Sequence, residues 1–405
     1  MNIKIKKIGL DFIFNIMAIL VLTATQQLVV YPGISRICGS NEYGAILTIM
    51  GIVYTVSGTM GEGLNKLRLI LNKDYFDKGL KGDFNILLIF NIILLLMLSM
   101  IDVAFFKLIS KNLFIAFILV LLTTLRLYLS VEFRLNLNYA KVLYLNFIIS
   151  FAYLIVVMLY VIYRFNSHFW YMIFIIAELS GNIYLIYYTN LLKEPLVKTY
   201  MFFNTLKKYC IIMYLSFVSN IIYYLDRSII YPLLGGEAVA VFFAATAVGK
   251  AVGLLISPMS IVLLSYLSQS DFRLDRKRYW KINILSSLLG IICYIFVIMI
   301  TDFTVNIFYP SLYENAKQFF ILANIIPILG GIANMSQPTV LRYASLNKQA
   351  IIQTIELFVS VSVFYFSIKN SGLNGLCMAC IFLYIMRILV LWFLGDQVVR
   401  YNDNI

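Results

Sequence analysis

Long apolar runs separated by short polar connections dominate the pattern of hydrophobic and polar positions along the chain. A helix that crosses a bilayer needs about 20 mostly apolar residues, and twelve runs come near this length. They cover residues 9–31, 42–62, 84–101, 113–131, 143–163, 169–190, 209–232, 238–266, 282–301, 318–338, 350–368 and 373–394. Backbone groups in lipid must be satisfied internally, and the runs are too long for barrel strands. The pattern therefore predicts an all-α polytopic membrane protein with twelve transmembrane helices.

The predicted helices divide into two sets of six. A Tyr-Pro pair ends the first span at residues 31–32, and another ends the seventh span at residues 231–232. Each pair is followed by glycine within a few residues and then by a long, glycine-rich span. Equal span counts and the same direction of crossing indicate two parallel repeats, which in transporters enclose a site near the bilayer midplane. We therefore predict an N-terminal six-helix bundle over 1–200 and a C-terminal one over 201–405.

Composition and charge support the membrane class and add an orientation. Hydrophobic residues make up 62% of the 405 residues and charged residues only 13%, against about 45–50% and about 25% in soluble domains. The net charge of +13 reflects 32 basic against 19 acidic residues. If the N-terminus is cytoplasmic, a large majority of the basic residues fall on the cytoplasmic side, as the positive-inside rule requires. We expect both termini in the cytoplasm, and we expect no nucleic-acid partner.

A few charged residues lie within predicted spans, where a charge near the bilayer centre costs about 2.5–3.5 kcal/mol on insertion scales. Lys250 lies near the middle of the eighth span. It is either a cation that lines a cavity or one partner of an ion pair with a carboxylate on a neighbouring helix. Asp226 and Arg227 lie together in the seventh span and have either a transport role or a structural one. Adjacent side chains point about 100° apart on a helix, so these two need not pair with each other.

Two further charged residues flank the spans of the first half. Arg36 follows the first span and is either a solvated loop residue or a contributor to the cavity. Glu62 closes the second span beside two glycines, where an acid at the membrane interface is the simpler interpretation. Cations nevertheless outnumber carboxylates in the predicted interior, so a water-filled cavity there attracts an anion. Arginine binds phosphate with two parallel hydrogen bonds and lysine acts as a point charge.

Residues that carry most enzyme chemistry are scarce. His168 is the only histidine, and no Walker A sequence for ATP is present. Of five cysteines, Cys377 and Cys380 form a C-x-x-C inside the last span without further ligands, which favours simple packing. No predicted outer loop is large enough for a polymerase or glycosyltransferase centre. The sequence predicts no enzyme, no metal site and no cofactor.

Two stretches resemble a known family. "YPGISRICGSNEYGAILTIMGIVYTVSGTMGEGLNKLRLI" (31–70) and "YYLDRSIIYPLLGGEAVAVFFAATAVGK" (223–250) are similar to bacterial O-antigen and capsule flippases of the Wzx type. The shared features are a proline followed by Arg36, a glycine-rich second span that ends in Glu62, and the Asp-Arg pair that leads into the eighth span. These flippases belong to the multidrug/oligosaccharidyl-lipid/polysaccharide exporter superfamily.

The resemblance implies a function. Family members carry an undecaprenyl-pyrophosphate-linked oligosaccharide repeat unit across the bacterial inner membrane, through two bundles arranged in a V and by alternating access coupled to an ion gradient. Combined with the basic interior, it leads us to expect that Arg36, Arg227 and Lys250 bind the diphosphate and that Asp226 and Glu62 are ion-coupling or structural. The choice between H⁺ and Na⁺ as the coupling ion stays open. The alternative is a drug/cation antiporter of the same superfamily, which the basic interior disfavours. An integral-membrane polymerase and a passive scaffold are further alternatives, disfavoured by the short loops and by Lys250 respectively.

Overall fold

The computed structural model describes residues 2–105, 113–163, 166–267, 275–343 and 346–403, and all regular structure within these ranges is helical. The helices are α1 (Asn2–Thr25), α2 (Tyr31–Ser35), α3 (Ser40–Ser57), α4 (Gly63–Asp77), α5 (Asp83–Phe105), α6 (Leu113–Leu129), α7 (Val131–Leu135), α8 (Tyr139–Ile162), α9 (Tyr171–Tyr188), α10 (Phe202–Leu267), α11 (Arg276–Phe308), α12 (Tyr313–Lys317), α13 (Phe320–Tyr343) and α14 (Leu346–Asp403). Two π-helical turns (Gln26–Val30 and Gly58–Glu62) and three 3-10 turns (Ser167–Phe169, Leu191–Lys193 and Pro310–Leu312) connect some of them.

Nine helices within the described ranges are long and apolar enough to cross a membrane. Two of them contain a break in the helical backbone, which divides α10 and α14 into two segments each. Gly235 has φ 83° and ψ 178°, and Gly372 has φ 56°, values that glycine adopts without the steric cost of a Cβ. The breaks fall between the predicted spans 209–232 and 238–266, and between 350–368 and 373–394. The prediction of an all-α polytopic membrane protein is confirmed.

The chain packs into two compact units, which do not coincide with the predicted halves in every segment. The first unit comprises Met1–Ile37 and Thr48–Leu225, and the second comprises Cys38–Leu47 and Asp226–Ile405. The first segment of α10 therefore belongs to the first unit up to Leu225, and a short piece of α3 belongs to the second. The six-plus-six division at residue 200 stays a prediction about how the chain is built from repeats.

Helix α8 is central to the first unit. It packs against α1 and α9, and α6 also packs against α9. Asn138 precedes α8 and its side chain accepts a hydrogen bond from the backbone N–H of Lys141 at 3.3 Å, which satisfies one of the free donors at a helix start. Gly181 of α9 lies so close to α8 that an added Cβ would be 2.8 Å from Ile149. The small residue thus allows the two helices to approach closely.

Helix α13 has the central position in the second unit, where it packs against α14 and α11. Gly290 of α11 faces Ile332 of α13, and an added Cβ at the glycine would be only 2.6 Å from that side chain. A buried polar contact joins the same helices, because Ser336 donates to Asn283 at 2.7 Å. Asp275 caps α11 by accepting from the N–H of Arg278 at 3.2 Å.

Candidate functional site

The second unit contains a largely buried cluster of charged side chains, here called the Asp226 cluster, made of Asp226, Arg227 and Lys250. Lys250 Nζ lies 3.2 Å from Asp226 Oδ2, and the two side chains are 23% and 15% exposed. Asp226 is on the first segment of α10 and Lys250 on the second, so the ion pair spans the break at Gly235. The structure therefore shows the ion pair that the sequence left as one of two alternatives for Lys250.

Arg227 is directed to other groups. Its backbone N–H donates to Asp226 Oδ1 at 2.8 Å, while its guanidinium donates from Nη1 to the carbonyl of Leu47 at 3.4 Å. Only 6% of the residue is exposed. The expectation that neighbouring residues on the helix are directed to different groups agrees with these contacts. The carboxylate of Asp226 binds Lys250, and the guanidinium of Arg227 reaches α3.

An aromatic ring, that of Phe243, lies close to both cations. The guanidinium carbon of Arg227 is 4.8 Å from the centroid of the Phe243 ring, and Lys250 Nζ is 5.4 Å from it. Tyr43 and Tyr309 each meet the same ring edge-on, with centroids 6.2 and 6.3 Å away. A ring face attracts a cation by about 0.5–2 kcal/mol, more when water is excluded. Phe243 thus compensates part of the cost of burying two positive charges.

Glycines allow the helices around the cluster to approach closely. An added Cβ at Gly44 of α3 would be 1.7 Å from the carbonyl oxygen of Gly236, so only glycine fits there. Next to Lys250, the N–H of Gly249 donates to the side-chain oxygen of Asn324 at 2.7 Å. An added Cβ at Gly249 would be 2.8 Å from the Asn324 carbonyl. Backbone packing therefore holds α3, α10 and α13 at fixed distances around the cluster.

The Asp226 cluster has two cations and one carboxylate, and hence a net charge of +1 when all three are ionised. In a protein interior, where the effective dielectric constant is about 20, that charge acts over a longer range than in water. Guanidinium N–H groups bind phosphate or carboxylate with defined geometry, and an ammonium adds a point charge. The chemistry available here is recognition of an anion.

The structure places the other two predicted site residues in the first unit. Arg36 ends α2 and is exposed. Glu62 is also exposed and forms an ion pair with Lys66 at 3.5 Å, one helical turn away. Exposed pairs of this kind contribute about 0–1 kcal/mol. Arg36 and Glu62 therefore remain candidates on sequence grounds, whereas Asp226, Arg227 and Lys250 come together in one unit.

The first unit contains a buried ion pair that sequence reasoning missed. Arg126 of α6 donates from Nε to Glu178 at 2.6 Å and from Nη2 to its other oxygen at 3.1 Å. The side chains are 11% and 2% exposed. A tyrosine network is part of the same unit, in which Gln26 donates to Tyr54 and Tyr153 at 3.2 and 3.3 Å. The sequence feature that could have revealed this pair is Glu178, a single acid inside the sixth apolar span. An acidic residue within a membrane span is itself an indication of a functional position.

Acidic and sulfur ligands do not converge on a metal site in the part of the chain that the structure describes. No group of three or more His, Cys, Asp or Glu side chains there is arranged to hold a metal ion. Asp226 is bound to Lys250 and Glu178 to Arg126, so the charge of each of these two carboxylates is balanced by a basic side chain.

No family model matches the chain, and no curated protein matches it. Solved structures do match over nearly its whole length. The inward-facing conformation of a multidrug resistance MATE family transporter of the MOP superfamily aligns with a TM-score of 0.71 and 10% identity, covering 96% of this chain and 99% of that one. An outward-facing conformation of such a transporter gives 0.63 and 12%, covering 98% and 96%. A MATE transporter from Vibrio cholerae gives 0.64 and 13%, covering 98% and 97%.

These TM-scores show that the chain has the fold of the MATE transporters. The flippases that the sequence resembles belong to the same superfamily.

Proposed function

We propose that this protein is a flippase in the bacterial inner membrane that carries an anionic lipid-linked oligosaccharide from the cytoplasmic to the periplasmic leaflet. The substrate is an undecaprenyl-pyrophosphate-linked repeat unit of an O-antigen or capsule. Transport proceeds by alternating access coupled to H⁺ or Na⁺. The transporter fold and the sequence resemblance to Wzx-type flippases support this proposal.

The observation that carries the proposal is the net positive charge of the buried Asp226 cluster. Arg227 supplies guanidinium donors and Lys250 a point charge, and the one carboxylate of the cluster, Asp226, lies 3.2 Å from the Lys250 ammonium. A diphosphate is the part of the proposed substrate that matches this excess. In this proposal Arg227 and Lys250 recognise the diphosphate, and Asp226 holds Lys250 in place or takes part in ion coupling.

A drug/cation antiporter is the second candidate, and the solved structures favour it. Two of the matching structures are named as multidrug resistance transporters. An organic cation needs an uncompensated carboxylate or an aromatic cage. Phe243, Tyr43 and Tyr309 supply aromatic rings, but the ring of Phe243 already contacts two cations of the protein. The charge of the cluster therefore favours the anionic substrate.

Reconstitution separates the two candidates. The purified protein in proteoliposomes is given a fluorescent short-chain polyprenyl diphosphate sugar in one arm and the cationic dye ethidium in the other. We expect flipping of the diphosphate and no ethidium flux above protein-free vesicles. Arg227→Gln should lower flipping by about tenfold or more, because a charged hydrogen-bonding group contributes about 1.5–3 kcal/mol. Ethidium flux driven by an ion gradient, without diphosphate flipping, would establish the antiporter instead.

The orientation of the chain in the membrane is tested by a separate experiment. We propose that both termini lie in the cytoplasm, because basic residues are concentrated on that side of the predicted spans. A cysteine introduced at Asn204, in the predicted cytoplasmic connection before the seventh span, should resist a membrane-impermeant maleimide in intact cells. It should react after the membrane is permeabilised. Strong labelling in intact cells would place residue 204 outside the cytoplasm and contradict the proposed orientation.

A further inference from the structure

The second unit carries a groove between α13 and the two segments of α14. Its volume is about 410 Å³, within the range of about 300–1,000 Å³ that is typical of small-molecule sites. Most of the side chains that line it are aliphatic. Glu356 and Arg387 lie among them, with Gln337 of α13 beside Arg387.

The groove has the length of one leaflet. Its lining on the second segment of α14 runs from Leu383 to Leu394, and at 1.5 Å per residue this distance is about 16 Å. The hydrocarbon core of a bilayer is about 30 Å thick, so one leaflet supplies about 15 Å. An acyl chain of one leaflet therefore has the length that the groove accommodates.

The aliphatic wall is open to the surroundings. Ile355 is 58% exposed, and Val359, Met386 and Val390 are 43%, 44% and 41% exposed. These residues are on helices long and apolar enough to cross a membrane. Apolar side chains on such a surface are covered by lipid, and a concave apolar surface accepts a chain more completely than a flat one does.

A charged pair interrupts this wall. Arg387 Nη1 lies 3.1 Å from Glu356 Oε1, and the two side chains are 23% and 24% exposed. Arg387 Nη2 also donates to Gln337 at 3.5 Å. Ionisable residues are rare in membrane spans and mark functional positions. A guanidinium has five N–H donors and a carboxylate about four acceptor sites, so the exposed quarter of each side chain retains capacity for a ligand.

We propose that this groove binds a zwitterionic phospholipid with an amine headgroup, of the phosphatidylethanolamine type. The phosphate lies on Arg387, the ammonium lies on Glu356, and one acyl chain lies along the aliphatic wall. Charge complementarity selects this lipid. An added anion would leave Glu356 next to a second negative charge, and an uncompensated charge in a low-dielectric site is costly. A zwitterion satisfies both members of the pair. The site goes beyond the proposed transport function and does not depend on the transported substrate.

Lipid titration of the purified protein tests the site. The protein in detergent is titrated with dioleoyl phosphatidylethanolamine, phosphatidylcholine or phosphatidylglycerol, and bound lipid is counted by native mass spectrometry. We expect phosphatidylethanolamine to bind about tenfold more tightly than phosphatidylglycerol, the size of one charge-assisted hydrogen bond. Phosphatidylcholine should also bind more weakly, because its quaternary ammonium has no N–H to donate to Glu356. Equal affinity for the three lipids would overturn the proposal.

Two kinds of variant test the headgroup contacts and the acyl-chain contacts separately. Glu356→Gln leaves Arg387 uncompensated and should reverse the preference towards phosphatidylglycerol. An unchanged preference would refute the assigned headgroup contacts.

Val359→Trp fills the groove and should lower the affinity for phosphatidylethanolamine by about tenfold, because the acyl chain loses its contact with the aliphatic wall. Val361→Trp is the matched control, since Val361 is 41% exposed on the same segment and does not line the groove. Equal losses in the two tryptophan variants would exclude the groove as the lipid site.

Discussion

Removing the ammonium of Lys250 tests whether the Asp226 cluster binds substrate or only holds helices together. Lys250→Met keeps most of the side-chain volume and leaves Asp226 without its partner. The attraction between the two charges at 3.2 Å is about 5 kcal/mol at an effective dielectric constant of about 20. Breaking a buried pair by removing one partner costs about 3–5 kcal/mol. Because both side chains retain some exposure, we expect a loss near the lower end, about 3 kcal/mol.

The chain offers a matched control for this loss. Lys317 and Asp302 also form a lysine–aspartate pair in the second unit, at 3.8 Å, but their side chains are 56% and 60% exposed. Such a pair contributes about 0–1 kcal/mol. Lys317→Met should therefore leave thermal stability and membrane abundance close to those of the unchanged protein. Lys250→Met should lower both.

The double variant Asp226→Asn with Lys250→Met distinguishes the two roles. Replacing a buried ion pair by neutral groups of similar size is often neutral for stability, so the double variant should recover most of the stability lost in Lys250→Met. It should not recover transport, because the ammonium to which the proposed function assigns the diphosphate is absent. Thermal unfolding in detergent and flipping at equal protein-to-lipid ratio provide the two measurements. Wild-type flipping by the double variant would refute a substrate role for the pair.

Other predictions concern single positions. Gly44→Ala should destabilise the second unit by about 1–3 kcal/mol, as overpacking does, because its Cβ meets a backbone carbonyl; Gly39→Ala, with nothing within 4 Å, should be neutral in the same thermal unfolding assay. Arg126→Gln should lower stability by about 3 kcal/mol, and Glu178→Gln in addition should restore most of it. Burial and then Glu42 raise the pKa of Cys38 from 9.0 to about 12, so at pH 8 its thiolate is about a thousandfold scarcer than that of an ordinary cysteine. A variant with Cys38 as its one cysteine should resist maleimide when folded and react in SDS, and prompt reaction when folded would contradict the burial.

The helical architecture and its interruptions followed from local chemistry. Hydrophobic runs of membrane-spanning length predict helices because lipid offers the backbone no other partners. The connections 233–237 and 369–372 were predicted from short polar or glycine-containing stretches, and the structure breaks α10 at Gly235 and α14 at Gly372. Both residues have positive φ, which glycine adopts without steric cost, so the presence of glycine in the sequence is the local cause of each break. The π-helical turns at Gln26–Val30 and Gly58–Glu62 have no comparable sequence signal, because they depend on how neighbouring helices pack.

The pairing of buried charges was only partly predictable. Arg126 and Arg387 lie near the ends of predicted spans, and the positive-inside pattern places both on the cytoplasmic side. The structure instead pairs them with Glu178 and Glu356. A basic residue within a few turns of a span's end either snorkels to the interface or pairs inside the protein. Which of these occurs depends on the acid presented by another helix, and that requires tertiary structure.

A comparison of charge in the two units links the site to the choice between candidate functions. In the first unit one cation, Arg126, meets one carboxylate, Glu178, whereas the Asp226 cluster of the second unit has two cations and one carboxylate. A monovalent cation about 8 Å from one net positive charge is repelled by about 2 kcal/mol at an effective dielectric constant of about 20, and a monovalent anion is attracted equally. The difference of about 4 kcal/mol is about a thousandfold in affinity. In the proposed function, the two cations of the Asp226 cluster are therefore the feature that favours an anionic substrate over a cationic one.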